Sequence, residues 1–213
     1  MRFKNALSGT LIFGVAIAAV LAVGLAWLAT EVIGGSTLQF DLAARNTIHS
    51  LAMPSLTAAM IVASAIGETY VLLPLSAAVV FAFWRTGNKH RAILFVIAMT
   101  GALLINEALK LGFRRSRPQP FFDYPVPLSY SFPSGHALFS VVFCGTLAAI
   151  ISPDLRAKWK KALLWAGAAL LAAIIGFSRV YLGVHYPTDV IAGYTAALVW
   201  VLAVAMGNHV LGQ

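Results

Sequence analysis

Residues 5–30 read NALSGTLIFGVAIAAVLAVGLAWLAT, a stretch of 26 positions without one ionisable side chain. An α-helix needs about 20 apolar residues to cross the hydrocarbon core of a bilayer. A secretory signal peptide has a shorter apolar region of about 7–15 residues before its cleavage site. The length therefore favours a retained transmembrane helix, and cleavage near Leu28-Ala29-Thr30 is the weaker alternative.

The composition of the whole chain agrees with this first segment. Of the 213 residues, 60% are hydrophobic and only 10% are charged, whereas an average soluble domain has about 25% charged residues. These values exclude an ordinary soluble protein and a disordered tail. The single cysteine, Cys144, cannot form an intrachain disulfide, which excludes a disulfide scaffold. The sequence therefore predicts an integral membrane protein whose backbone polar groups are satisfied within helices.

Six more uncharged runs follow the first, and the simplest count would make seven spans. They are 50–67, 69–84, 92–106, 137–153, 162–178 and 190–208. Lysine and arginine accumulate in cytoplasmic loops. If run 50–67 does not cross, nine of the 15 basic residues are cytoplasmic and six are external; if it crosses, the counts become seven and eight. The charge distribution therefore favours six spans with both ends of the chain in the cytoplasm.

We predict an all-α integral membrane bundle of six transmembrane helices, with a single domain over residues 1–213. Residues 31–69 then form an external interfacial helical segment between the first two spans. Pro54 suits the first turn of a helix in that segment, because proline is tolerated where the backbone N–H has no helical partner.

Proline marks one long loop between the predicted spans. Five of the nine prolines fall within residues 118–133, among several aromatic residues. Proline-rich sequence does not continue a helix, and aromatic rings prefer the membrane–water boundary. The loop is either an interfacial anchor or a lip that guides a lipid to a site, and the sequence leaves both open.

The basic residues point to a phosphate ligand. Fifteen Lys and Arg against seven Asp and Glu give a net charge of +8, which fits nucleic acid, anionic lipid or a phosphorylated substrate. A nucleic-acid-binding domain would spread its basic residues over a solvated face. Here they form short clusters between uncharged runs, so we predict a lipid phosphate partner in the bilayer and no nucleic acid.

The first cluster reads Lys110-Leu-Gly-Phe-Arg-Arg-Ser-Arg117-Pro118 and follows the third span. Arginine offers bidentate hydrogen bonds to phosphate, and lysine a compact charge. We expect Lys110 and Arg117 to bind a phosphate. For Arg114 and Arg115 we favour non-specific contact with lipid headgroups.

The second cluster, Pro133-Ser134-Gly135-His136, opens the fourth span. A helix N-terminus presents free N–H groups and a partial positive charge, which suit an anion. His136 could give a proton to a leaving oxygen near neutral pH. A capping serine and an interfacial histidine would explain the same residues equally well.

The third cluster consists of Ser178-Arg179 and then His185 and Asp189. The i, i+4 spacing places the last two on one face of a helix, where a carboxylate can fix the histidine tautomer and leave Nε2 free to attack. A pair of metal ligands is the rival interpretation. With seven carboxylates in the whole chain, we favour chemistry on histidine without a metal or other cofactor.

Taken together, the three clusters resemble the motifs of the type-2 phosphatidate phosphatase superfamily, which also contains the soluble vanadium haloperoxidases. That family carries K-x6-R-P, then P-S-G-H, then S-R-x5-H-x3-D, and every defining position is matched here. The resemblance implies a metal-independent phosphatase with its motifs at one membrane face. His185 would be the nucleophile that forms a phosphohistidine, Asp189 its orienting partner, and His136 the acid for the leaving group. The residues that would bind the phosphoryl oxygens are Lys110, Arg117, Ser134, Gly135 and Arg179.

The resemblance also suggests substrates. Bacterial members of this size act on undecaprenyl diphosphate, phosphatidylglycerol phosphate, phosphatidate or lipid A. We favour undecaprenyl diphosphate, because a compact bundle has little surface outside the membrane to recognise a large sugar headgroup. We expect a bacterial inner membrane location, with the active site on the periplasmic or extracellular side.

Two other functions compete with this one. Halide oxidation with bound vanadate uses the same pocket chemistry, but the membrane setting argues against it. A lipid or anion transporter would bind phosphate headgroups without hydrolysis, although transporters usually place their ionisable residues near the midplane. The oligomeric state stays open.

Overall fold

The computed structural model describes the backbone of residues 2–211 and the side chains of residues 9 and 11–210. Within this part of the chain there are eight α-helices, a short 3₁₀ helix at Ser152–Asp154 and no β-strand. The α-helices are α1 (Arg2–Ile33), α2 (Leu38–His49), α3 (Pro54–Ile66), α4 (Thr69–Arg85), α5 (Lys89–Phe113), α6 (Gly135–Ile151), α7 (Lys158–Tyr181) and α8 (Pro187–Leu211). The all-α prediction is confirmed.

Five of these helices are long and apolar enough to cross a bilayer: α1, α5, α6, α7 and α8. The helices α3 and α4 pass the same test only as a pair, and they meet at a bend of 50°. The described residues therefore contain five candidate membrane-spanning helices, or six if the bent pair is one broken span.

The helices run further than the uncharged stretches of the sequence. The third predicted span ends at residue 106, whereas α5 continues to Phe113. The fifth predicted span ends at 178, whereas α7 continues to Tyr181. A cation in the last turn of a helix interacts favourably with the partial negative charge there. Lys110 and Arg179 therefore lie within the last turns of spanning helices, not in the connecting loops.

Small residues let the central helices α5, α6 and α8 approach closely. The core between them contains the buried residues Ala98, Ala102, Leu138, Val142, Ala196 and Ala197. Trp200 Nε1 donates a hydrogen bond of 2.8 Å to the carbonyl of Ala98, and a Cβ at Gly101 would lie 2.1 Å from the Trp200 ring. In lipid, where lipid tails are as apolar as side chains, such close packing holds helices together.

Two polar contacts show which helix ends meet. Arg91, near the start of α5, pairs with Asp154 after α6 at 2.5 Å. His90 Nε2 lies 2.6 Å from Asn208 Oδ1, near the end of α8. We call this the far end. The opposite ends of the same helices, near residues 110, 135 and 187, must then meet as well, and we call that the site end.

The segment 31–69 forms two helices and lies at the site end. The second, α3, begins at Pro54, as the proline predicts. It packs on the last turns of α7, where Thr57 Oγ1 lies 2.8 Å from the Tyr181 hydroxyl and Met60 joins a cluster with Tyr181 and Leu182. The segment is therefore packed against the same end of the bundle as the three motif clusters.

Candidate active site

His185 and Asp189 form a buried pair where α7 gives way to α8. His185 is 1% exposed and Asp189 is fully buried. His185 Nδ1 lies 3.3 Å from Asp189 Oδ2. The same oxygen accepts hydrogen bonds from Ser131 Oγ at 2.5 Å and from the Tyr186 N–H at 2.9 Å. Asp189 is thus held in place by three neighbours on one of its oxygens.

The surroundings of His185 define its tautomer. Arg117 Nη1 lies 2.9 Å from His185 Nε2, and a guanidinium can only donate. Nε2 is therefore the acceptor, and the ring proton belongs on Nδ1, towards Asp189. Burial lowers the pKa of His185 to about 3, although the contact with Asp189 acts in the opposite direction. The ring is accordingly neutral near pH 7, with the Nε2 lone pair directed towards a cation.

Arg117 lies beside this nitrogen, and Lys110 shares the partner Ser129 with it. Lys110 Nζ donates to Ser129 Oγ at 2.9 Å. Arg117 Nε donates to the Ser129 carbonyl at 2.7 Å, and Arg117 Nη1 donates to the Val184 carbonyl at 2.9 Å. Burial, with Arg179 nearby, lowers the pKa of Arg117 to about 10, so its guanidinium remains charged at neutral pH.

Arg179 completes a cationic pocket. Its side chain is fully buried, and Nη1 donates to Ser64 Oγ on α3. Its Nε and Nη2 atoms are buried without a hydrogen-bond partner. Buried donors that lack a partner are costly, and an anion would satisfy them. Arg179 is therefore suited to bind two oxygens of a phosphoryl group.

The Ser134–His136 turn packs directly on α8. The Ser134 N–H donates to the Asp189 carbonyl at 2.9 Å. A Cβ at Gly193 would lie 2.6 Å from the Ser134 carbonyl oxygen, so the absence of a side chain there permits this approach. Ser134 Oγ is buried without a partner, and α6 begins at Gly135. The turn thus offers a free hydroxyl and the first N–H groups of a helix to an anion.

His136 lies beside the carboxylate of Glu68, which no motif in the sequence includes. Its Nε2 is 3.2 Å from Glu68 Oε1, and Arg179 Nη1 is 3.8 Å from the same oxygen. Glu68 comes from the junction of α3 and α4. A Cβ at Gly67 would lie 2.9 Å from His136 Cδ2, so the junction is packed against the histidine. In the sequence, Glu68 was visible only as a lone charge between two uncharged runs.

The prediction for Arg115 was wrong. We expected it to contact lipid headgroups, but its side chain is only 13% exposed and pairs with Asp41 and Asp189. A basic run next to a span resembles a headgroup-binding surface, and its sequence gives no sign of a buried partner. Arg114 is exposed, and its Nε donates to the Leu111 carbonyl; its contact with headgroups stays a prediction.

The proline-rich loop (residues 114–134) supplies polar contacts to the site. It has no helix, and it contributes Ser129 to Lys110 and Arg117 and Ser131 to Asp189. Neither of the roles considered from the sequence, anchor or lip, includes these contacts. The two serines had no distinguishing signal, because serine is common in loops.

All eight residues selected from the sequence converge at the site end. The structure brings together His185, Asp189, His136, Lys110, Arg117, Ser134, Gly135 and Arg179, through the contacts given above. Within residues 2–211, no group of three His, Cys, Asp or Glu side chains is arranged to hold a metal ion. Both oxygens of Asp189 accept hydrogen bonds from protein donors, which is the environment of an orienting carboxylate.

An apolar groove lies next to this cluster, on the side of His136. It has a volume of about 150 Å³ and is lined by Thr69, Leu72, Leu73, Ser76, Met99, Thr100, Leu103 and Phe139. Thr69 follows Glu68 directly, and Phe139 lies one helical turn after His136. The groove therefore has sequence neighbours of Glu68 and His136 in its lining.

Comparison with known proteins places the chain in a family. A sequence profile described as the PAP2 superfamily matches residues 91–210. The chain is 32% identical over 170 residues to a protein named undecaprenyl-diphosphatase from Sulfolobus acidocaldarius, covering 77% of each chain. It is 31% identical over 135 residues to phosphatidylglycerophosphatase B of Bacillus subtilis, covering 62% of this chain and 66% of that one.

The fold comparison agrees with the sequence comparison. The structure is similar to a crystal structure described as a transmembrane PAP2 type phosphatidylglycerolphosphate phosphatase from Bacillus subtilis, with a TM-score of 0.81 and 26% identity. The match covers 88% of this chain and 94% of the other. The chain belongs to the PAP2 superfamily. It is an integral membrane hydrolase, a phosphatase that acts on lipid substrates.

Proposed function

We propose that the protein removes phosphate from a membrane lipid phosphate or diphosphate without a metal ion, through a phosphohistidine on His185. The observation that carries the proposal is the environment of His185. Its ring is buried and neutral, Asp189 lies at Nδ1, and Nε2 opens on a pocket of cations with unpaired donors. A neutral imidazole next to bound phosphate is a competent nucleophile.

The reaction has two displacements. In the first, His185 Nε2 attacks phosphorus, the bond between phosphorus and the leaving oxygen breaks, and His136 gives its proton to that oxygen. In the second, His136 takes a proton from water, the water oxygen bonds to phosphorus, and the P–N bond breaks to restore neutral His185. Each histidine thus ends in its starting state, as general acid–base catalysis requires.

The cations supply most of the stabilisation. Phosphoryl transfer depends chiefly on positioning and on neutralising charge at the non-bridging oxygens. Lys110, Arg117 and Arg179 lie around the position where those oxygens would bind, and donors in a site of low dielectric act strongly. Ser134 Oγ and the Gly135 N–H complete the cradle at the start of α6.

The groove beside His136 supports a lipid as the substrate. The leaving oxygen carries the lipid chain, and in our mechanism that oxygen lies next to His136. The groove has Thr69 and Phe139, neighbours of Glu68 and His136, in its lining and is otherwise mainly apolar. A chain attached to the leaving oxygen can therefore continue into it.

Among lipid phosphates we favour undecaprenyl diphosphate. Most of the residues that the structure describes lie in helices, which leaves little loop surface to bind a large sugar headgroup. The similarity to a protein named undecaprenyl-diphosphatase supports the same choice. Phosphatidylglycerol phosphate, phosphatidate and lipid A are the competing substrates of the same chemistry.

To test the function, the purified protein would be assayed in detergent with an excess of chelator against these four lipids. We expect phosphate release to persist with chelator and to be fastest with undecaprenyl diphosphate. Loss of activity on chelation would contradict the metal-independent mechanism. Binding of lipid without phosphate release would favour the transporter alternative, and faster release from another lipid would overturn only the choice of substrate.

We also propose the arrangement in the membrane. The single domain of residues 1–213 would have six spans, with α4 as the second of them, and segment 31–69, which includes α2 and α3, would remain at the external interface. The membrane would be a bacterial inner membrane and the site end periplasmic or extracellular. The distribution of basic residues supports this, since the far end carries Arg85, Lys89, Arg91, Arg156, Lys158, Lys160 and Lys161.

Cysteine mapping tests this orientation. In a Cys144→Ser background, Leu128→Cys at the site end should react with an impermeant thiol reagent added to intact cells, because Leu128 is fully exposed. Asn88→Cys at the far end should react only after the membrane is opened. The reverse pattern would place the site on the cytoplasmic face.

A further inference from the structure

Arg115 lies between two buried carboxylates that come from distant parts of the chain. Its Nη2 is 2.7 Å from Asp41 Oδ2, on α2. Its Nη1 is 2.6 Å from Asp189 Oδ1, in the first turn of α8. Both aspartates are fully buried, and the Arg115 side chain is 13% exposed. One guanidinium therefore joins the external segment to the carboxylate that contacts His185.

Asp41 is itself fixed by the first turn of α8. Its Oδ1 accepts the Thr188 N–H at 3.0 Å, and its Oδ2 accepts the Thr188 hydroxyl at 2.7 Å. The Arg115 guanidinium also lies over the Tyr186 ring at 4.1 Å. The guanidinium plane is thus restrained by contacts on both of its terminal nitrogens and on one face.

The two carboxylate oxygens of Asp189 have different hydrogen-bond partners. Oδ1 accepts from Arg115, while Oδ2 accepts from Ser131 and the Tyr186 N–H and lies next to His185 Nδ1. Rotation of the carboxylate would break several hydrogen bonds at once. The Nδ1–H of His185 therefore meets an acceptor in one fixed orientation.

We propose that Arg115, held by Asp41 of α2, is a positioning residue for the nucleophile: it sets the Asp189 carboxylate that orients His185. The proposal rests on the proposed function, since it assumes that His185 attacks phosphorus. It also gives the segment between α1 and α3 a part in the reaction, through the ion pairs of Arg115 with Asp41 and Asp189.

A purely structural role is the alternative. The two ion pairs would then only fasten α2 to the bundle. Buried ion networks often stabilise a protein no more than apolar residues of similar size do. Stability alone therefore does not account for two ion pairs at this position. A structural role predicts that the variants lose folded protein while each remaining folded molecule keeps the wild-type rate.

Arg115 remains charged in this setting. Burial acts to lower its pKa, but Asp189 and Asp41 more than offset this, and the pKa is raised above its ordinary value. Lysine at this position could reach one carboxylate as a point charge but lacks the planar fork that joins both. The variant Arg115→Lys therefore keeps the positive charge but loses the simultaneous contact with Asp41 and Asp189, which we call the bridge.

The experiment measures phosphoenzyme formation in a single turnover, together with kcat and KM, on protein shown to be folded. We expect Arg115→Lys to lower the rate of phosphoenzyme formation about 10-fold and Arg115→Ala about 100-fold, since misplaced catalytic groups cost rates of this order. KM should stay within about threefold, because the phosphate-binding cations are untouched. Added methylguanidinium should restore at least about 10-fold of the rate in Arg115→Ala.

Matched variants separate the two roles. Asp41→Asn should lower the same rate about threefold to 10-fold and add little to Arg115→Ala in the double variant, because both act through one bridge. Arg91→Lys, which changes the ion pair with Asp154 at the far end, should leave the rate unchanged. If Arg115→Ala does not fold, Arg115→Lys and Asp41→Asn carry the test.

Two results would overturn the proposal: wild-type rates of phosphoenzyme formation in folded Arg115→Lys and Asp41→Asn, or a loss confined to KM. A lack of rescue by methylguanidinium in folded Arg115→Ala would also count against it. If the wild-type protein turns over without any phosphoenzyme, the proposed function fails instead.

Discussion

The variant His185→Ala is expected to release phosphate from lipid at least about 10⁴-fold more slowly than the wild type, the order of loss seen when a nucleophile is removed. His185 Nε2 is the nitrogen of the Asp189-paired ring that faces the cations of the pocket, with Arg117 Nη1 2.9 Å away, so the first displacement depends on it. The measurement is phosphate release in detergent at saturating lipid.

The control for this variant is His90→Ala. His90 contacts Asn208 at the far end, so its removal should leave the rate near the wild-type value. Retained binding of inorganic phosphate would show that the pocket of His185→Ala is intact, since Lys110, Arg117 and Arg179 remain. Activity within about 10-fold of the wild type would exclude His185 as the nucleophile.

The second large effect is expected for His136→Ala, and it depends on the leaving group. With phosphatidate, whose leaving group is an alkoxide, we expect a loss of about 10³-fold, because a positioned general acid contributes about 10²–10⁴-fold. With p-nitrophenyl phosphate, whose leaving group needs no proton, the loss should be about 10-fold or less. The measurement is the rate of phosphoenzyme formation in a single turnover for each substrate, in wild type and variant, because His136 also acts in the second displacement, which both substrates share.

This ratio distinguishes an acid from a binding residue. If His136 served only to bind the phosphoryl group, both substrates would lose rate equally. Glu68→Gln provides a graded comparison, because Glu68 contacts the same ring. It should lower the rate with phosphatidate more than the rate with p-nitrophenyl phosphate, in the same direction as His136→Ala. Equal losses in both variants would contradict the assignment of the acid.

The two histidines have similar environments in the structure. His185 lies beside Asp189 and His136 beside Glu68, each at 3.2–3.3 Å. Only the first pair could be predicted from the sequence, from its i, i+4 spacing. The predicted shared helical face was wrong, because α8 begins at Pro187 and His185 lies in the turn before it. Glu68 is brought to His136 by the bend between α3 and α4 and by close packing at Gly67, neither of which leaves a local pattern.

The spans and the motif residues could be predicted because each has a local pattern in the sequence. A run without charges has to satisfy its backbone internally in lipid, so composition alone indicates a helix. The three motif clusters lie at the ends of such runs, and antiparallel packing brings alternate ends together. Position along the chain was therefore enough to place Lys110, His136 and His185 at one end.

The bridge through Arg115 could not be predicted. Its two partners each lie 74 residues away in sequence, one on either side. In the sequence, Asp41 is one of four charged residues in segment 31–69, with Glu31, Arg45 and Glu68, and no pattern marks it as a partner of Arg115. Only the docking of α2 against the first turn of α8 makes one guanidinium the neighbour of both carboxylates.

The central claim is that imidazole captures phosphorus, and trapping the intermediate tests it most directly. Protein mixed with ³²P-labelled substrate in the presence of chelator would be quenched in denaturant at alkaline pH, where phosphohistidine survives, digested and sequenced by mass spectrometry. The mechanism predicts a single acid-labile phosphate on the peptide that contains His185, formed as fast as turnover requires. Turnover at the normal rate with no labelled peptide, or with the label on another residue, would contradict it.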